Sequence, residues 1–114
     1  MQKIMIIEDT PAIREELALL LENEGYTPLM VTEFTDVPSQ AVRERPDLIL
    51  LDIGLPGKDG FSLCAALRKA IPAPVIFVTS RGAGVDEVRA LSLGGDDYIT
   101  KPYSVPVLLA RIKA

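Results

Sequence analysis

An α/β domain built on a five-stranded parallel sheet is what this sequence predicts, and three observations predict it. Short apolar runs alternate with helix-like stretches, β then α, five times along the 114 residues. The run Leu48-Ile49-Leu50-Leu51 is apolar at every position, the pattern of a strand buried on both faces. The apolar runs also end on polar residues: Glu8-Asp9, Asp52, Thr79 and Lys101. In open sheets of this class, ligands bind at the carboxyl ends of the strands. Asp52 closes the central run, although one acid at a strand end is equally well a solvated residue that starts a turn.

Taken in order, Lys3-Ile4-Met5-Ile6-Ile7 is the first strand. Thr10 is placed to cap a helix and Pro11 fits its first position. Ile13, Leu17, Leu20 and Leu21 recur at helical spacing until Gly25 stops it. Pro28 to Thr32 reads as a strand, and its leading proline suits an edge. Phe34 to Glu44 reads as a helix, with Pro38 tolerable only in its first turn. Arg45-Pro46-Asp47 breaks it. After the central strand, Asp59-Gly60 punctuate a loop. Phe61 to Ala70 follows as a helix with Phe61, Cys64, Ala65 and Leu67 inward. Ile71-Pro72-Ala73-Pro74 ends it. Val75 to Thr79 is the fourth strand. Val85 to Leu93 is a helix closed by Gly94-Gly95, and Asp97 to Thr100 is the fifth strand. Ser104 to Ala114 is the last helix.

Right-handed crossovers and an edge-like second strand favour the order 2-1-3-4-5, the flavodoxin-like (βα)5 arrangement with helices on both faces. A closed barrel needs more strands. The chain has the size of one domain, and with 48% apolar residues it can build a core. A net charge of −4 argues against a broad basic face for nucleic acid. Cys64 is the only cysteine, no apolar run spans a bilayer and no signal-peptide pattern opens the chain. The expectation is a cytoplasmic protein with no membrane association.

In the order 2-1-3-4-5, strands one, three, four and five are neighbours. Glu8, Asp9, Asp52, Thr79 and Lys101 then crowd one rim where strand order reverses. Like charges ~4 Å apart cost about 4 kcal/mol per pair at an effective dielectric of ~20. Lys101 supplies one cation, and a divalent ion would supply the rest. Hard carboxylate oxygens suit Mg²⁺, and the lack of histidine and cysteine in the set argues against zinc or copper. Acids, a metal, a hydroxyl and a lysine make a site for a phosphoryl group, with Asp52 as nucleophile. The chain contains no histidine, so a phosphohistidine donor must lie on another protein.

These motifs carry a resemblance. Glu8-Asp9, the run from Leu50 through Asp52 to Gly60, Val78-Thr79-Ser80 and the run from Gly95 to Tyr103 resemble the receiver domain of bacterial two-component response regulators, over essentially all 114 positions. The tail Leu108-Leu109-Ala110-Arg111-Ile112 is similar to the winged-helix transcription-factor subclass. The resemblance implies that Asp52 is phosphorylated by a sensor histidine kinase. It implies that Glu8, Asp9, Asp52 and the Ile53 backbone carbonyl hold Mg²⁺, and that Lys101 binds the phosphate. It makes Thr79 the switch hydroxyl and Tyr98 the aromatic that turns inward on activation. A cis bond before Pro102 is also implied.

The face formed by helix four, strand five and helix five is then expected to change on phosphorylation and to pair two copies. Arg89, Asp96, Asp97 and Arg111 are its candidate contacts, and the bland alternative is ordinary solvated charge. Gly54 leaves the approach to Asp52 open, whereas Arg81 could cover it. A flexible loop is expected at Gly82-Ala83-Gly84. Residues 1–114 are expected to be one receiver domain, not an enzyme beyond its own phosphorylation and slow dephosphorylation. DNA binding would belong to a C-terminal effector domain outside this segment. A receiver-like interaction module that takes no phosphate is the alternative. A haloacid-dehalogenase-like phosphatase would want an acid where Gly54 stands, and a flavin binder would not place two acids after strand one.

Overall fold

The computed structural model describes residues 2–55, 59–80 and 85–113. It alternates strands β1 (Lys3–Ile7), β2 (Thr27–Met30), β3 (Leu48–Leu51), β4 (Val75–Thr79) and β5 (Asp97–Thr100) with five helices. These are α1 (Pro11–Asn23), α2 (Val37–Glu44), α3 (Gly60–Ala70), α4 (Val85–Ser92) and α5 (Val105–Lys113). The strands are parallel and run in the order β2-β1-β3-β4-β5. The predicted fold class and strand order are those observed.

Period-two side-chain alternation divides the core into two layers. Met5, Ile7, Ile49, Leu51, Val75, Phe77 and Tyr98 point to one face, where Ala41 of α2, Phe61, Cys64 and Leu67 of α3 and Ala90 of α4 cover them. Ile4, Ile6, Leu48, Leu50, Ile76, Val78 and Ile99 point to the other, under Leu17 and Leu21 of α1 and Leu108 and Ile112 of α5. This explains why β3 is apolar throughout: both its faces are roofed.

Several boundaries differ from the sequence reading, each for a local reason. α2 begins at Val37, not Phe34. Asp36 caps it, accepting from the Ser39 N–H at 3.3 Å and the Ser39 hydroxyl at 2.8 Å, and this places Pro38 in the first turn, where a missing N–H costs nothing. β2 ends at Met30 because its ladder with β1 stops there. Thr10 stands at the start of α1 in extended conformation, but its side chain caps nothing; only its carbonyl accepts, from the Arg14 N–H. α3 starts one residue early, capped by Asp59 through the Phe61 N–H at 3.0 Å. Ala65 is only half-buried, unlike its neighbours Cys64 and Leu67. The Gly82-Ala83-Gly84 loop and Arg81 lie outside the described residues.

The layered core makes a prediction about α1. Leu21 is wholly buried and lies at the far end of α1 from the acids, whereas Leu19 is 60% exposed. Leu21→Ala should cost about 2–5 kcal/mol. Leu19→Ala should stay within about 0.5 kcal/mol. Urea unfolding of the two variants checks both.

Candidate functional site

Parallel register brings the polar strand ends together. Ile7 of β1 lies beside Leu51 of β3, and the Asp52 N–H donates to the Ile7 carbonyl at 3.1 Å. Glu8-Asp9 and Asp52, next along the two strands, therefore leave the sheet side by side. Carboxylate oxygens of Glu8, Asp9 and Asp52 lie within 4.8 Å of one another. From the neighbouring strands, Thr79 ends β4 and the Lys101 N–H donates to the Thr79 carbonyl at 2.8 Å. Glu8, Asp52 and Thr79 are the buried polar side chains among the described residues.

Lys101 reaches back across the rim. Its ammonium pairs with Asp52 Oδ2 at 3.1 Å and with Glu8 Oε1. The peptide bond between Lys101 and Pro102 is cis, as expected. The second Glu8 oxygen accepts from the Thr10 N–H at 3.3 Å, and the Glu8 carbonyl accepts from Arg14 at 3.1 Å. Asp52 Oδ1 accepts from the Gly54 N–H at 3.1 Å, and the Thr79 hydroxyl donates to the same carboxylate.

These contacts divide the acids. Burial pushes the Glu8 carboxyl above its ordinary value, and the hydrogen bond from Lys101 does not bring it back; the charge on Asp52 adds to the rise. Burial also works against ionised Asp52, but the Gly54 N–H, the Thr79 hydroxyl and Lys101 together outweigh it and hold its carboxyl below the usual value. Burial likewise works against the Lys101 charge, and its bond to Glu8 and the nearby Asp52 more than offset that, raising it. Three clustered carboxylates against one ammonium leave net negative charge that a hard divalent cation could neutralise.

The Ile53 carbonyl, read as a metal ligand, accepts from the Leu55 N–H at 3.0 Å and the Gly60 N–H at 3.3 Å. The Tyr98 ring, expected to move inward on activation, already lies buried, its centroid 6.0 Å from that of Phe77. The four dimer-face candidates do not form one set. Asp97 and Arg111 pair with each other at 2.6 Å. Asp96 instead accepts from the Val75 N–H at 2.8 Å and pairs with Arg68 at 3.4 Å, tying β5 to β4 and α3. Arg89 turns toward α3: its guanidinium sits 4.3 Å over the Phe61 ring and 3.9 Å from Asp59. Gly54 is exposed, and among the described residues a Cβ there would meet only Asp52 Oδ1, at 3.8 Å.

The raised Glu8 carboxyl predicts a pH effect. A carboxyl raised in the fold contributes stability below its ordinary value of 4.5 and loses that contribution as pH climbs through the raised value. In chelator at neutral pH, Glu8→Gln should therefore melt above the wild type. Its advantage should close as the pH falls toward 4.5. Melting curves across that range test the sign.

The chain matches the response regulator receiver domain over residues 4–113. It is 45% identical over all 114 residues to the transcriptional regulatory protein YxdJ of Bacillus subtilis (strain 168), and spans half the length of that curated relative. Among solved structures, the N-terminal domain of the nisin resistance regulator NsrR superposes with a TM-score of 0.88 at 42% identity, covering 98% of this chain and 95% of that one. The BeF3-activated N-terminal receiver domain of Klebsiella pneumoniae RstA does so with a TM-score of 0.92 at 36% identity, covering 98% and 96%. This chain, with its acids, hydroxyl and lysine gathered at the strand ends, belongs to the receiver domain family of response regulators.

Proposed function

We propose that the chain is a phosphorylation-driven signalling switch in which Asp52 accepts a phosphoryl group from a phosphohistidine on a partner sensor kinase. One observation carries the reading. Asp52 is the acid that Lys101, Thr79 and the Gly54 N–H jointly hold ionised and oriented against the cost of burial. A carboxylate oxygen of Asp52 attacks phosphorus. The new O–P bond forms as the N–P bond breaks, and the imidazole leaves. Lys101 and the Thr79 hydroxyl stand where they can stabilise the charge on the transferring oxygens.

Glu8, Asp9 and Asp52 would hold Mg²⁺, which when bound supplies neutralising charge to the phosphoryl oxygens. The donor set is all carboxylate oxygen, which fits that ion.

Thr79 already bonds Asp52, and Tyr98 is already inward. Phosphorylation in this reading favours an arrangement the chain can reach without it, a shift of populations. The output would pass through α4, β5 and α5, pairing two copies on a face that includes Asp97 and Arg111. Its downstream effect would be transcriptional, through a separate DNA-binding domain, in the cytoplasm. The name of YxdJ and the half-length match support that placement. Among the described residues, no helix is long and apolar enough to cross a membrane.

Incubation with acetyl phosphate and Mg²⁺ should add one phosphate by intact mass, released by hydroxylamine. Asp52→Asn or excess chelator should abolish the gain; an unchanged gain in Asp52→Asn would falsify the assignment. Light scattering with beryllofluoride and Mg²⁺ should report a dimer. Arg111→Ala should weaken it, since it removes a charged side chain from the proposed face.

A further inference from the structure

The first residue of α3 lies hard against the main chain that carries Asp52. A Cβ built on Gly60 would sit 2.5 Å from Ile53 Cα, 2.9 Å from the Asp52 carbonyl oxygen and 3.0 Å from the Ile53 carbonyl oxygen. All three are backbone atoms, so no side-chain tip can swing aside. Gly60 begins a helix and has no positive φ, so it is the close approach that demands glycine here. By contrast, among the described residues a Cβ on Gly54, nearer the acid in sequence, meets nothing closer than 3.8 Å.

Neither partner in this contact can back away freely. On one side, Asp52 is held to β1 through its N–H, and the side chains of Ile53 and Leu55 are buried in the core. On the other, Asp59 fixes the first turn of α3 through the Phe61 N–H at 3.0 Å and the Ser62 hydroxyl at 3.2 Å. The Gly60 N–H adds a direct tie to the Ile53 carbonyl. An added atom at position 60 would press on the short turn over residues 53–55. That turn carries the Gly54 N–H, the backbone donor to Asp52 Oδ1.

We propose that Gly60 is a positioning residue for Asp52: its packing on the 52–53 peptide shapes the turn whose Gly54 N–H aims the carboxylate. The inference rests on the reading of Asp52 as phosphoryl acceptor. A side chain at position 60 displaces the turn, and the carboxylate loses one of its fixed donors while the sheet beneath it stays folded.

The test compares wild type, Gly60→Ala and Leu21→Ala, the last a destabilised control remote from the acids. Gly60→Ala should shift the Gly54 amide resonance, speed its hydrogen exchange, and slow phosphorylation by acetyl phosphate about tenfold or more. Leu21→Ala should leave the Gly54 amide and the rate near wild type at a temperature where it is folded. Should Gly60→Ala not fold, Asp59→Ala loosens the same helix start without adding an atom and should move both readouts in the same direction. A wild-type Gly54 amide and wild-type rate in the variant measured overturn the proposal. A wild-type protein that takes no phosphate overturns the reading of Asp52 instead, and the Gly54 amide then still decides whether Gly60 holds the turn.

Discussion

The Lys101 ammonium, placed between Glu8 and Asp52, is the contact on which the rim of the sheet depends. Parallel register gives the chain no choice about crowding its acids: with Ile7 beside Leu51, Glu8 and Asp52 must emerge as neighbours. Carboxylates so placed repel, and burial adds to the cost. A cation that directly follows β5, two strands away from β3, reaches them. It can do so because its backbone is held to the end of β4 by the Thr79 carbonyl. The sheet thus both creates the repulsion and delivers the charge that offsets it.

This arrangement leaves the two buried acids unequal. Asp52 has a backbone donor, a hydroxyl and the lysine; Glu8 has the lysine and one backbone N–H. The better-furnished acid is held below its usual value and oriented. Burial raises its neighbour, whose charge a divalent cation would relieve. Both acids draw on the same lysine, so a change at either is felt at the other.

Much of this is legible in the residues. Strand runs bounded by Gly and Pro indicate the topology, and a run apolar on both faces marks β3 as central. Asp52, Glu8, Asp9, Thr79 and Lys101 stand out because strand ends of a known order must converge. The rest depends on distances that sequence does not carry. Asp36 three residues before Ser39 is a readable cap, but the apolar Phe34 draws the helix start upstream of it. Arg89 and Asp96 look like solvated charges, yet Phe61 and Asp59 draw one inward and the Val75 N–H takes the other. The Ile53 carbonyl is a metal ligand by resemblance alone, and which N–H groups it accepts from depends on the loop. Gly60 reads as a turn residue, and only coordinates show that it is a contact.

The side chains around the rim also connect Asp52 to the aromatic layer beneath α3 and α4. Phe61, Phe77 and Tyr98 form a row, with centroids 6.1 Å and 6.0 Å apart, running from α3 through β4 to β5. One end lies under Arg89 of α4, and a Cβ on Gly95 would strike Phe77 at 2.6 Å, so the row is tightly enclosed. Rings packed this closely do not deform by degrees; they occupy one arrangement or another. Thr79, fully buried at the end of β4 and bonded to Asp52, lies two residues beyond Phe77 in that strand. The Thr79 hydroxyl therefore ties Asp52 to the end of the strand that carries the middle ring. Asp59, which caps α3 behind Gly60 and pairs with Arg89, meets the same row from the loop after Asp52. The two connections converge on Arg89 of α4.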